Sequence, residues 1–328
     1  MKKSILSAVL LCTMLFTACN KPKENSDVPV ELGEGIVLSV GGTQMTAGEF
    51  QFFLDNVKTQ MEGTELSQED GWESEIEGKK AIDIAKERAY ESAVSYLTCI
   101  EIAKKMDLSY TKQEMEDLKG RVDKEYFSQY ENSDELIDLL CEAELYTGLL
   151  QNKLVEERPV QAEELKDFFD EHKEEIEQVY LRAKHVLILT KNSETNEELS
   201  DAEKAEKKKE AEYILSRAKA GEDFDALVKE FSQDPGSQSY PDGYVFTSGE
   251  MVQEFEDCVR TLKNDEIGFT QTSYGYHVIK RLELDAASCN SILMNAVYSQ
   301  KFAQYLDEYS KEYNITVTKN DEEYNKIK

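Results

Sequence analysis

The run Ile315-Thr316-Val317, near the end of the chain, is strand-like but has no neighbour in sequence to pair with. A lone short strand is not stable in water, so its partner must lie far away along the chain. The matching pattern stands at the other end. Ile36-Val37-Leu38-Ser39-Val40 is strand-like, Gly41-Gly42 supplies a two-residue turn, and Thr43-Gln44-Met45 returns. If the first and last segments share a sheet, part of what lies between them is an insertion. The sequence therefore predicts a discontinuous domain rather than domains following one another along the chain.

Most of the intervening chain has a helical period. Thr46 stands three before Glu49, a capping box opening a helix through Phe50, Phe53 and Val57. Residues 62–79 are polar, hold the only tryptophan, Trp72, and read as a loop or insertion. Ile82, Ala85, Ala89, Ala93, Leu97, Ile100 and Ala103 mark a long helix. Thr111 and Glu114 cap a further one carrying Met115, Leu118, Val122 and Tyr126. Asn132 and Glu135 open another, through Ile137, Cys141, Leu145 and Leu149. Pro159 breaks the chain before a charged helix over 162–179.

At Tyr180 the period changes. Leu181, Ala183, His185, Leu187 and Leu189 alternate with Arg182, Lys184, Val186 and Ile188, as in a strand. A capping box at Ser200 and Glu203 opens a Lys/Glu-rich helix to Ala220, its charge run read as a solvated face. Then come a short helix at 224–231, a turn at 233–237, a helix at 249–262 and strands at 269–271 and 276–284. An amphipathic helix at 287–313 returns to the helical pattern. The expected class is α+β. A discontinuous, mostly helical domain (36–178 and 286–318) holds an inserted domain (180–284), a small antiparallel sheet packed with helices. Residues 319–328 read as a tail.

Lys2 and Lys3 precede an apolar run from Ile5 to Phe16, short of the ~20 residues a spanning helix needs. Basic start, apolar stretch and small residues at Thr17-Ala18 read as an export signal, 1–18. Cys19 follows at once, and Leu15-Phe16-Thr17-Ala18-Cys19 resembles a bacterial lipobox, which implies acylation of Cys19 and a membrane anchor. Phe16 departs from the usual Leu, and an ordinary signal peptide cut near Ala18 is the alternative. Residues 19–35 lack periodicity and read as a tether. The formal charge is −29, with 38 Lys+Arg against 67 Asp+Glu, which argues against nucleic acid as a partner. Cys99, Cys141, Cys258 and Cys289 are far apart and without CxxC spacing, so a disulfide pairing stays open.

Phosphate loops, dinucleotide glycines, HExxH and GxSxG are all missing, and no cofactor or metal is expected. Of the three histidines, His172 lies among Glu171, Lys173 and Glu174 on a solvated helix. His185 and His277 lie on the buried faces of two strands, where two satisfied core histidines are the plain alternative. Their surroundings tip the balance. His185-Val186-Leu187-Ile188, Phe231-Ser232-Gln233-Asp234-Pro235-Gly236-Ser237, Gly249-Glu250-Met251-Val252-Gln253-Glu254-Phe255-Glu256 and Thr272-Ser273-Tyr274-Gly275-Tyr276-His277-Val278-Ile279 occur in that order. This resembles the parvulin family of peptidyl-prolyl isomerases over 180–284. With the lipobox and helical flanks, the chain is similar to extracytoplasmic foldase lipoproteins of the PrsA type and to SurA-like chaperones.

The resemblance implies a metal-free isomerase of X–Pro bonds. It maps His185 and His277 onto the family's paired histidines, Asp234 onto its Cys-or-Asp position, and Thr272 onto a hydroxyl of the same network. It also maps Met251 and Phe255 onto the cup that grips proline. Spacing alone puts Met251 and Phe255 on one helical face, where ordinary core packing is the alternative. Asp234 reads equally as a turn residue before Pro235. The family pattern Gly-Gly-Asp-Leu-Gly is replaced here by Tyr240-Pro241-Asp242-Gly243-Tyr244-Val245-Phe246. Gly243 stands where a Leu usually walls the pocket, and Tyr244 or Phe246 is expected to fill in. The implied partners are unfolded exported polypeptides and, through the lipid, the outer face of a cytoplasmic membrane; a homodimer is left open. The rivals are a non-catalytic holdase and a solute-binding lipoprotein. The latter needs two α/β lobes that the helical first half does not supply.

Overall fold

The computed structural model describes residues 32–66, 71–192, 195 and 197–327; the expected export signal (1–18) and Cys19 lie outside them. In chain order come strands β1 (Ile36–Val40) and β2 (Thr43–Thr46), helix α1 (Ala47–Thr64), the small hairpin β3 (Glu75–Ile76) and β4 (Lys79–Lys80), and helices α2 (Ala81–Lys105), α3 (Lys112–Lys119), α4 (Lys124–Phe127) and α5 (Ser133–Glu157). Then follow α6 (Ala162–Val179), β5 (Leu181–Leu189), α7 (Asp201–Lys219), α8 (Phe224–Phe231), β6 (Tyr244–Phe246), α9 (Gln253–Thr261), β7 (Ile267–Gln271) and β8 (Gly275–Leu282). The chain closes with α10 (Asn290–Glu312), β9 (Val317–Lys319) and α11 (Asp321–Lys326). Among the described residues, no helix is long and apolar enough to cross a membrane.

The described residues up to Val160, together with those from Tyr298 onward, form one compact unit. Its sheet has the order β2-β1-β9, antiparallel, with Val40 opposite Val317. The last strand thus pairs with the first, starting two residues later than its sequence pattern suggests. Ala81, Ala85, Ala89 and Ala93 of α2 are fully buried, small side chains that let neighbouring elements come close. Leu38, Phe50, Leu136, Phe302 and Tyr305 fill the space around them.

Three local expectations in this unit are corrected. The helix begun at Thr111 stops at Gly120, and the Asp123 carboxyl accepts the Glu125 and Tyr126 N–H groups to start the separate turn α4. Asn132 precedes α5 in a left-handed conformation (φ 53°) and makes no side-chain cap. The tail is ordered: Asn320 caps α11, and Tyr324 packs edge-on against Phe50 at 5.7 Å.

The second unit is Gln161–Val297 and so includes α6 and the first residues of α10. Its sheet runs β6-β5-β8-β7, antiparallel throughout. Alternate side chains of a strand face opposite ways. Val186, Ile188, Tyr276 and Val278 meet Ala211, Ile214 and Leu227 from α7 and α8. On the other face, Leu181, Ala183 and Ile279 meet Phe255 and Val259 of α9, together with Phe246 from β6. Strand β6, three residues long, is too short to register as a period. The helix expected over 249–262 begins only at Gln253, with Val252 as its N-cap. Met251 therefore precedes the helix rather than sharing one of its faces. Cys99, Cys141, Cys258 and Cys289 are all free thiols.

Candidate active site

Strands β5 and β8 are neighbours, with Leu187 opposite His277 and His185 opposite Ile279. His185 and His277 are thus a diagonal pair on one face of the sheet, and their rings meet edge to face with centroids 5.1 Å apart. The Phe255 ring closes against both, at 5.1 Å from His185 and 5.6 Å from His277. Phe255 is 2% exposed and also touches Phe246, at 5.9 Å. Met251 is partly buried against the same cluster.

Asp234 arrives by a local device. Strand β6 pairs with β5 only as far as Ala183. Beyond it, Ser232-Gln233 takes over the edge: the Leu187 N–H donates to Ser232 Oγ, the Leu189 N–H to Gln233 Oε1, and the Gln233 N–H back to the Leu187 carbonyl. The next residue is then held beside His185. Asp234 Oδ2 lies 3.2 Å from His185 Nε2, without the alignment of a hydrogen bond. It accepts a hydrogen bond from the Tyr244 hydroxyl at 2.5 Å, while Oδ1 accepts the Gly236 N–H at 3.1 Å. Burial would raise the Asp234 carboxyl, but the His185 ring, the Tyr244 hydroxyl and the Gly236 N–H outweigh it and hold it low, at about 2.

His277 is 4% exposed, and its Nε2 lies 2.9 Å from Thr272 Oγ1, which also accepts the Tyr274 N–H. Burial, reinforced by the nearby His185, pushes the His277 imidazole down to about 3, against a smaller opposing pull from Asp234. His277 is therefore neutral at physiological pH. His277 Nδ1 and both nitrogens of His185 are buried and have no protein hydrogen-bond partner among the described residues. Unpaired buried polar atoms are costly, so their presence beside an apolar ring marks a place where a polar group of a ligand can be met.

All eight site positions singled out in the second unit converge on this face; Cys19 lies outside the described residues. One sequence expectation changes. The Met251–Phe255 pairing comes from a turn and a helix, not one helix. The Glu256 carboxyl, 1% exposed, accepts the Gly249 and Met251 N–H groups and fastens that turn. Gly243 cannot serve as a wall: it has φ +92°, and a Cβ there would come 2.9 Å from the Ala183 carbonyl oxygen. Tyr244 stacks on His185 at 5.7 Å, and Phe246 backs Phe255. Sequence reading had no role for Glu256, Ser232 or Gln233. Their signal was their place inside the matched runs, where each completes a backbone bond of the site.

Among the described residues no group of His, Cys, Asp and Glu has the arrangement of a metal site. Residues 169–285 match the model of the PPIC-type PPIASE domain. A foldase protein PrsA of Caldanaerobacter subterraneus subsp. tengcongensis is 30% identical over 285 residues, which is 85% of this chain and 81% of that protein. The foldase protein PrsA of Halalkalibacterium halodurans is 27% identical over 281 residues, 85% of this chain and 72% of that protein. The crystal structure of PrsA from Bacillus subtilis aligns over 71% of this chain and 85% of that one, at 22% identity and a TM-score of 0.29.

Proposed function

We propose, for a chain that belongs to the PrsA family of foldases and carries a parvulin-type peptidyl-prolyl isomerase domain, that the face built by His185, His277 and Phe255 turns X–Pro bonds in exported polypeptides. The observation that carries this is the Phe255 ring lying against both imidazoles, with His185 Nδ1 and His277 Nδ1 left without a protein partner among the described residues and His185 Nε2 facing Asp234. Rotation about a peptide bond faces a barrier of ~18–20 kcal/mol, set by C–N double-bond character, and breaks no covalent bond. A catalyst needs an apolar grip on the proline ring and a polar surround that suits the twisted amide better than the planar one. Phe255, Phe246 and Met251 supply the grip. His185, His277, Thr272 and Asp234 supply the surround, and neutral His277 and ionised Asp234 keep their charge states through the neutral range. The role of the helical unit is to hold unfolded clients while the isomerase face works.

The test is acceleration of cis–trans exchange in a short proline peptide. Phe255→Ala, which empties the cup, should abolish most of it; truncating so buried a ring also costs ~3–5 kcal/mol of stability, so folding is checked first. A folded Phe255→Ala protein as active as the parent contradicts this site.

The anchor is a separate part of the proposal and rests on the lipobox-like run ending at Cys19. Fatty-acid labelling should mark the parent and hold it in the membrane fraction. Unchanged labelling in Cys19→Ala would contradict acylation there.

A further inference from the structure

We propose that Tyr244 is a positioning residue of this site: its hydroxyl clamps the Asp234 carboxylate against the His185 ring. The inference rests on the isomerase function proposed above but concerns a residue outside the family pattern, in which a glycine stands in place of Tyr244. Three observations meet here. The Tyr244 hydroxyl donates to Asp234 Oδ2 at 2.5 Å, the same oxygen that lies 3.2 Å from His185 Nε2. The Tyr244 ring is stacked on the His185 ring at 5.7 Å, with 29° between planes, and the Tyr240 ring lies 4.8 Å from it, tilted by 37°. Gly236 makes the room: its backbone does not have a positive φ, yet a Cβ there would overlap the Tyr244 hydroxyl. One side chain therefore fixes both the imidazole and the carboxylate beside it, and the glycine at 236 is explained by that hydroxyl rather than by turn geometry.

The clamp also has an electrostatic face. A hydrogen bond donated to a carboxylate favours its ionised form. Without the hydroxyl, Asp234 keeps only the Gly236 N–H and the His185 ring to oppose burial.

The experiment compares the full chain with Tyr244→Phe and Gly236→Ala. The first deletes the donor and keeps the ring; the second keeps Tyr244 and pushes its hydroxyl away, so each covers for a folding failure of the other. Two readouts are taken: kcat and KM on a proline peptide, and titration of the Asp234 carboxyl carbon by NMR. The expected result is kcat about tenfold lower with KM changed by less than about twofold, because the cup is untouched. The carboxyl midpoint should rise by about one unit in the folded variant. An unmoved midpoint, or a full kcat in a folded variant, overturns the proposal. If the parent itself does not catalyse, the isomerase reading falls, and the titration alone decides the clamp.

Discussion

At His277 the environment makes a definite statement about acid. Its imidazole is held far below its ordinary value of 6.5, at about 3, chiefly by burial. The unfolded chain therefore binds a proton that the folded chain refuses between about pH 6.5 and pH 3. Stability from this residue is present above pH 6.5 and is lost as pH falls through that window. Asp234 acts with the same sign lower down: its folded value of about 2 lies below its ordinary 3.8, so it adds a loss as pH drops below 3.8. Urea unfolding at pH 7 and pH 4.5 should show a smaller acid loss in His277→Asn than in the parent. Equal losses would mean that the imidazole is not held neutral by the fold.

Among the elements, α9 and the turn before it set the shape of the proposed proline cup. Glu256 sits one residue after Phe255 and reaches back to the Gly249 and Met251 N–H groups at 2.8 and 3.1 Å, so one helix turn supplies the ring and fastens the methionine. Glu256→Ala should raise KM with kcat nearly kept, and should cost about 1–3 kcal/mol through the N–H groups left unpaired. An unchanged KM would show that the turn holds without it. The same region marks the limit of what the sequence reveals. Strand β5 was legible because five alternating positions, Leu181 to Leu189, repeat a period of two. The capping boxes at Thr46, Thr111 and Ser200 were legible because donor and acceptor stand three apart, and all three form. Strand β6 was not, because three residues carry no period and its pairing depends on a partner more than sixty positions away in sequence. The start of α9 differs from the sequence reading because Met251 fits the helical spacing, while Val252 is extended and the Glu256 side chain satisfies the Met251 N–H from within the helix, a local side-chain bond that apolar spacing does not encode. The convergence of His185, His277, Asp234 and Thr272 came from motif order, not from pattern alone.

For the molecule as a whole, the pairing of β9 with β1 joins segments on either side of the isomerase unit in sequence into one sheet. The first unit has its own core, running from Val37 through Leu97 and Leu150 to Phe302 and Val317, so replacing 161–297 with a short Gly/Ser linker should leave a cooperatively folding helical protein. A molten, protease-sensitive product would contradict the discontinuous domain. The same deletion separates holding from catalysis. The most direct measurement is refolding of a client limited by a slow X–Pro bond, which alone takes tens to hundreds of seconds at 25 °C, run with catalytic amounts of the parent and of the deletion protein. Refolding should be faster with the parent and not accelerated by the deletion protein, even where the latter still suppresses client aggregation. A folded parent that never exceeds the uncatalysed rate, while still preventing aggregation, would contradict catalysis and leave a holdase.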